Sequence, residues 1–164
     1  DFLFAPLPDK PLDPTLVETV VYVDDAIVAC GRTCRLFRTK RPQLEQLARE
    51  RWVVGPPGSV SHNLLLDFCR IHGLPRPIVS LEAENVPFRR QAVLRSDLLS
   101  VFYRAQVRSW LDDRAIRTLP FDWPNMHQRV GTIRSSASTT AVHDVFLASM
   151  RAALAGPAAV LRTR

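Results

Sequence analysis

The stretch Arg51-Trp52-Val53-Val54-Gly55-Pro56-Pro57-Gly58-Ser59 decides the fold. Trp52 to Val54 are bulky and β-forming, which predicts a buried strand. Glycine and proline then force a turn that ends on Ser59, a favoured helix N-cap. A helix follows from about Val60 to His72: Leu64, Leu65, Phe68, Cys69 and Ile71 make one apolar face, and Gly73 is its stop. A strand–turn–helix junction of this kind aims backbone N–H groups and the positive end of a helix dipole over the edge of a sheet. An α/β domain builds a pocket for a small anion in this way. The junction needs no catalytic residue, so it predicts a ligand-binding sensor domain rather than an enzyme.

The pattern repeats downstream. A strand at Ile78 to Leu81 leads to a helix that begins near Asn85, with Pro87 tolerated in its first turn. Strand Leu98–Phe102 precedes a helix with Val107, Trp110 and Leu111 inward. Strand Ile116–Phe121, a proline-broken loop from Asp122 to Met126 and a last strand, Arg129–Arg134, come next. The closing helix starts after Ser136–Ser138, buries Val142, Val145, Phe146 and Met150, and stops at Gly156-Pro157. Upstream, Asp1 to Ala5 reads as a buried central strand that ends at Pro6 and Pro8. Leu16 to Ala29 is a long β-rich stretch with a bulge or turn at Asp24-Asp25. Cys30 to Arg41 is a basic loop, and Pro42 to Glu50 a short helix. This order predicts an α/β fold, a mainly parallel sheet with helices on both faces. Ligands of such sheets sit outside the carboxyl ends of the strands, here marked by Gly55–Ser59 and Glu82–Pro87.

Composition narrows the function classes. The 164 residues carry a net charge of +6. The basic residues are scattered, however, with no aromatic platform between them, so direct DNA contact by this chain is not expected. No apolar run is long enough to span a membrane, and the first residues lack the basic start of a signal peptide. Three cysteines without a CxxC pair suit a reduced, cytoplasmic compartment. His62, His72, His127 and His143 share no metal spacing, and no cofactor motif is present. Asp24-Asp25 and Asp112-Asp113 are the paired carboxylates; the first fits a strand irregularity and the second a helix end. No nucleophile elbow accompanies them.

Four segments resemble the C-terminal effector-binding domain of LysR-type transcriptional regulators. They are Asp1-Phe2-Leu3-Phe4-Ala5-Pro6-Leu7-Pro8; Leu44-x-x-Leu47-Ala48-x-Glu50-Arg51-Trp52-Val53; Pro56-Pro57-Gly58-Ser59 with Gly73-Leu74-Pro75-Arg76-Pro77; and Arg129-Val130-Gly131-x-Ile133-Arg134. The resemblance implies a type-2 periplasmic-binding-protein-like fold of two lobes, the first of them incomplete. Residues 1–19 would be a remnant of lobe I, 20–128 lobe II, 129–155 the return strand and helix of lobe I, and 156–164 a tail. The winged helix-turn-helix and the first part of lobe I would lie upstream.

In that family a small-molecule effector sits between the lobes. Carried over, its contacts are Asn85, Val86, Pro87 and Phe88, with Gly58, Ser59, Pro6 and Leu7. Each has a plainer reading beside it: Asn85 and Ser59 as bare N-caps, Phe88 as core, Pro6-Leu7 as a rigid strand exit. Glu82 and Glu84 depart from the hydroxyl residues usual before this helix, and their charge weakens a site for a free carboxylate. The resemblance further implies a homo-oligomer, dimer or tetramer, with DNA bound only through an N-terminal domain absent from this chain. Peroxide-sensing members place a resolving cysteine where Cys69 stands, but the reactive cysteine nine positions earlier is Val60 here. Cys69 then reads as a small buried apolar residue. Cys30 and Cys34 read as incidental loop cysteines in an arginine-rich setting that lowers a thiol pKa. Two rival readings remain open, a periplasmic-type solute-binding protein and a small α/β enzyme.

Overall fold

A computed structural model of the chain describes residues 1–8, 10, 13–111, 115–121, 127–138 and 141–155. Asp112-Asp113, the Asp122–Met126 loop, the side chains of Trp110 and Leu111, and the Gly156-Pro157 stop lie outside the described residues. The chain divides into two units, Asp1–Asp25 with His127–Arg164, and Ala26–Met126. The long strand β2 (Leu16–Gly31) contributes to both.

The larger unit is built on the second half of β2 with β3 (Arg51–Val54), β4 (Ile78–Glu82), β5 (Leu99–Tyr103) and β6 (Ile116–Leu119). Strand β3 runs parallel to β4 and β5, while β2 runs antiparallel to β5 and β6. The α/β class holds, with four of the five strands of this unit running one way and β2 making the sheet mixed. The crossover helices order β3, β4, β5 and β6 in one direction; β2 runs against its neighbours β5 and β6.

Helices cover both faces of this sheet. On one face Leu47 of α1 (Leu44–Leu47) and Leu65, Phe68 and Cys69 of α2 (Val60–Ile71) pack with Trp52, Val54, Val101 and Cys30. On the other, Val93 of α3 (Val86–Arg95) and Val107 of α4 (Arg104–Leu111) pack with Val53, Ile27, Ala29 and Phe102. Alternate residues of β3 and β5 serve opposite cores, as the two-residue period of a strand requires. Gly73, at φ +63°, follows α2 and ends it.

Unit Asp1–Asp25 with His127–Arg164 has three antiparallel strands: β1 (Phe2–Pro6) on β7 (His127–Ser135), and β7 on the first half of β2. Three expectations change here. Strand β1 is an outer strand with Leu3 and Phe4 exposed, not a central buried one, because β7 takes one edge and no described strand pairs with the other. The irregularity of β2 falls between Val20 and Tyr22, where the register with β7 slips. Asp24-Asp25 stay in the ladder, at the point where the chain leaves this unit.

The closing helix α5 (Ala141–Ala155) turns part of its expected face inward, with Phe146 packed on Phe2 and Phe4 and Met150 half-buried, but Val142 and Val145 are 71% and 65% exposed and His143 and Leu147 are buried instead. His143 turns inward because its Nε2 lies 2.8 Å from the buried Thr132 Oγ1 and its ring meets Phe2 edge-on. That pair satisfies two polar groups at once, which a valine at either position cannot do.

Candidate functional site

The junction after β3 folds as its residues dictate. Pro56 to Ser59 make a turn closed by the Ser59 N–H on the Pro56 carbonyl, 3.0 Å. Gly58 sits in it at φ +87°, a conformation that side chains resist. Ser59 caps α2 by accepting from the His62 N–H. The Gly55 N–H donates to Ser61 Oγ at 2.9 Å. Thus the N–H groups of Gly55, Ser59 and His62 are taken up inside the protein, and Pro56 and Pro57 have none. Three of the amides at this junction are spent on holding the turn.

The start of α3 differs. Asn85 caps it, its Oδ1 accepting from the Phe88 N–H at 3.0 Å, with Pro87 in the first turn. Asn85, Pro87, Phe88, Arg90 and Gln91 line an open concavity of about 600 Å³. It is a shallow surface depression open to solvent, not an enclosed cleft. Phe88 is 54% exposed, so its ring belongs to this surface and not to the core. Val86 turns the other way and packs with Leu81 and Ala92 around the α3–α4 core. Gly58 and Ser59 do not line the concavity, and Pro6 and Leu7 belong to the other unit. There Pro6 pairs with Val130, and the buried Leu7 donates its N–H to Arg129.

Arg90 and Gln91 were not singled out in the sequence. They lie three and four residues after Pro87, so the 3.6-residue period of the helix brings them to the Pro87–Phe88 side. Arg89 points inward instead. Its guanidinium is 5.2 Å from the Phe102 ring centre, and its Nε and Nη1 make no hydrogen bond among the described residues. Burial pulls its pKa below the ordinary arginine value, and the nearby Glu84 opposes that shift. Glu84 therefore has a local role in offsetting a buried positive charge.

The two candidate edges are tied together through the backbone. The Ala83 N–H donates to the Val54 carbonyl at 2.8 Å, joining the ends of β3 and β4 from which both turns depart. Replacing Asn85 with alanine should lower the stability of the Ala26–Met126 unit by about 1 kcal/mol, the usual cost of a lost N-cap. Thermal unfolding followed by circular dichroism measures this; an unchanged Tm would mean the cap carries no weight.

The class these features define is shared with known proteins. The LysR substrate binding domain family matches residues 1–155, and the chain belongs to that family. Among solved structures, the chain is similar to a LysR family transcriptional regulator from Pseudomonas aeruginosa (12% identity, TM-score 0.72, 95% of this chain and 53% of that one). It is similar to the CcmR regulatory domain of Synechocystis PCC6803, solved with 2-PG (16%, TM-score 0.76, 96% and 74%). The CrgA regulatory domain of Neisseria meningitidis, a LysR-type regulator, is a third (18%, TM-score 0.68, 94% and 75%). The chain thus spans about half the length of the first of these and about three quarters of the two regulatory domains. No curated protein matched the chain. Among the described residues no helix is long and apolar enough to cross a membrane, and no cluster of three His, Cys, Asp or Glu is placed to hold a metal ion.

Proposed function

We propose that this chain is the effector-sensing domain of a LysR-type DNA-binding transcriptional regulator, and that its effector is a small polar or anionic metabolite seated at the start of α3. The concavity lined by Asn85, Pro87, Phe88, Arg90 and Gln91 carries the reading. It offers an aromatic wall, two side-chain amides and one guanidinium beside the positive end of a helix. Gly58, Ser59, Pro6, Leu7 and Val86 join the assignment through the family resemblance alone. The effector acts by binding one conformation of the domain more tightly than another. DNA would be read by an N-terminal domain, in a cytoplasmic homo-oligomer, and no chemistry would be performed on the effector.

The test is thermal unfolding of the chain with a panel of small carboxylates and phosphates, 2-PG included. A true effector at one hundred times its Kd should stabilise the fold by about 2.7 kcal/mol through mass action. Phe88→Ala should leave the unliganded Tm nearly unchanged, because the ring is already half in solvent. It should weaken binding about tenfold, the loss of roughly 1.4 kcal/mol of contact. A panel without a single stabilising compound, or an effector that binds Phe88→Ala as tightly as the parent, overturns the assignment.

A further inference from the structure

Arg89 is a cation on the face of α3 where packing favours an apolar side chain. It stands one turn before Val93, and both residues turn toward the sheet: Val93 is fully buried and Arg89 only 5% exposed. The seating of α3 on the sheet fixes where the guanidinium lies. The Val93 carbonyl abuts Gly31, whose neighbour Cys30 pairs with Leu99 at the start of β5. Arg89 meets Phe102 instead, three residues further toward the carboxyl end of the same strand. Helix α3 therefore runs against β5 and opens at its carboxyl end. Helical side chains lean toward the N-terminus of their own helix, which carries the guanidinium further that way.

A second helix opens at the same strand end. Strand β5 stops at Tyr103 and α4 begins at Arg104, with Val107 in the core that holds Val93 and Phe102. Helices α3 and α4 thus share one face of the sheet, and both turn their positive ends toward the carboxyl end of β5. A buried cation placed there is destabilised unless an anion joins it. None does so among the described residues: Arg89 makes no ion pair, and its Nε and Nη1 are sealed from solvent without a hydrogen bond. Burial outweighs the influence of Glu84, so the guanidinium is held below its ordinary pKa. Nη2 is the nitrogen that is not sealed. It shares one edge of the guanidinium plane with Nε–H, the edge that grips a carboxylate or phosphate through two parallel bonds.

We infer that Arg89 is the anion-binding residue of the effector site, and that the effector is an acid whose carboxylate or phosphate group is gripped by this guanidinium at the carboxyl end of β5. The inference rests on the reading that the effector seats at the start of α3. It adds a ligand charge, and a residue on the sheet side of a helix start whose outer side carries Phe88, Arg90 and Gln91. The anion enters at the open Nη2 and meets Nε–H along the same edge, over the Phe102 ring. A neutral analogue leaves the guanidinium unpaired, and the site rejects it for that reason. An acid group instead completes a cation that the fold alone leaves without a partner.

The test uses the intact chain and two probes, inorganic phosphate and succinate, each compared with sodium chloride at equal ionic strength. At least one probe should raise the Tm of the parent, and the one that acts tells phosphate from carboxylate. Arg89→Met keeps most of the apolar length of the side chain and should bind that probe about tenfold more weakly or worse. Arg70→Gln removes an equal charge from the exposed surface of α2 and should respond like the parent. The parent gives a second reading that does not depend on how the Met variant folds. Its Arg89 Nε–Hε NMR signal, assigned by its loss in Arg89→Lys, should move as the probe is added. A response kept in Arg89→Met, an equal loss of response in Arg70→Gln, or an unmoved Nε–Hε signal would each overturn the inference and leave the seat at Phe88 to its own test. Silence of the parent toward both probes would overturn it too, and silence toward the whole panel would remove the seat as well.

Discussion

Gly31→Ala should destabilise the Ala26–Met126 unit by about 3 kcal/mol, among the largest effects of a single added methyl group. A Cβ at this position would lie 2.1 Å from the Val93 carbonyl oxygen, 3.0 Å from its carbon and 3.3 Å from the Leu94 Cα. All three are backbone atoms of α3, so no side chain can swing aside. Relief requires lifting α3 from β2, and with it Val93 from the core it shares with Ala29, Val53 and Phe102. A unit of this size loses several degrees of Tm per kcal/mol, so the variant should melt more than about 10 °C below the parent. A variant that melts within a degree or two of the parent would show that α3 does not seat on β2 as described. The α3 seat also matters for function, because the same helix presents Phe88, Arg90 and Gln91.

Local signals were legible in the sequence wherever one element carries its own instructions. Ser59 and Asn85 cap the helices expected of them, and Trp52–Val54 is the buried strand its bulk predicts. What escaped depends on partners distant in the chain. The phase of α5 rests on His143 meeting Thr132, which sends Val142 and Val145 outward while Phe146 still packs on Phe2 and Phe4. Cys30 and Cys34, expected in a basic loop, are buried instead, Cys30 at the end of β2 and Cys34 after a turn closed on the Gly31 carbonyl; composition shows only an arginine-rich stretch. At the candidate site the helix start was legible but the division of its faces was not. Phe88 and Val86 are both apolar, and only the position of the sheet sends Val86 inward and Phe88 out.

Trp52→Ala should cost about 4 kcal/mol, a large share of the 5–15 kcal/mol by which a domain is stable. Trp52 is 1% exposed and heads the fully buried side chains of the chain by volume. Its removal leaves a cavity among Leu47, Leu65, Phe68 and Leu99, contributed by α1, α2 and β5. The rigid strand backbone of β3, held by β4 and β5, limits collapse into that space. Trp52→Phe separates the causes. It restores much of the volume and removes the indole Nε1–H, which makes no hydrogen bond among the described residues, so it should cost less than half as much.

The functional consequence follows from where β3 ends. Its last residue, Val54, holds Ala83 through a 2.8 Å hydrogen bond and leads directly into the turn that starts α2. A loosened β3 therefore blurs the approach to α3 as well. In Trp52→Ala the Tm rise produced by any effector of the parent chain should shrink at equal ligand concentration, whereas Trp52→Phe should keep it. Equal ligand-induced shifts in both variants would show that the start of α3 is positioned independently of the core beneath β3.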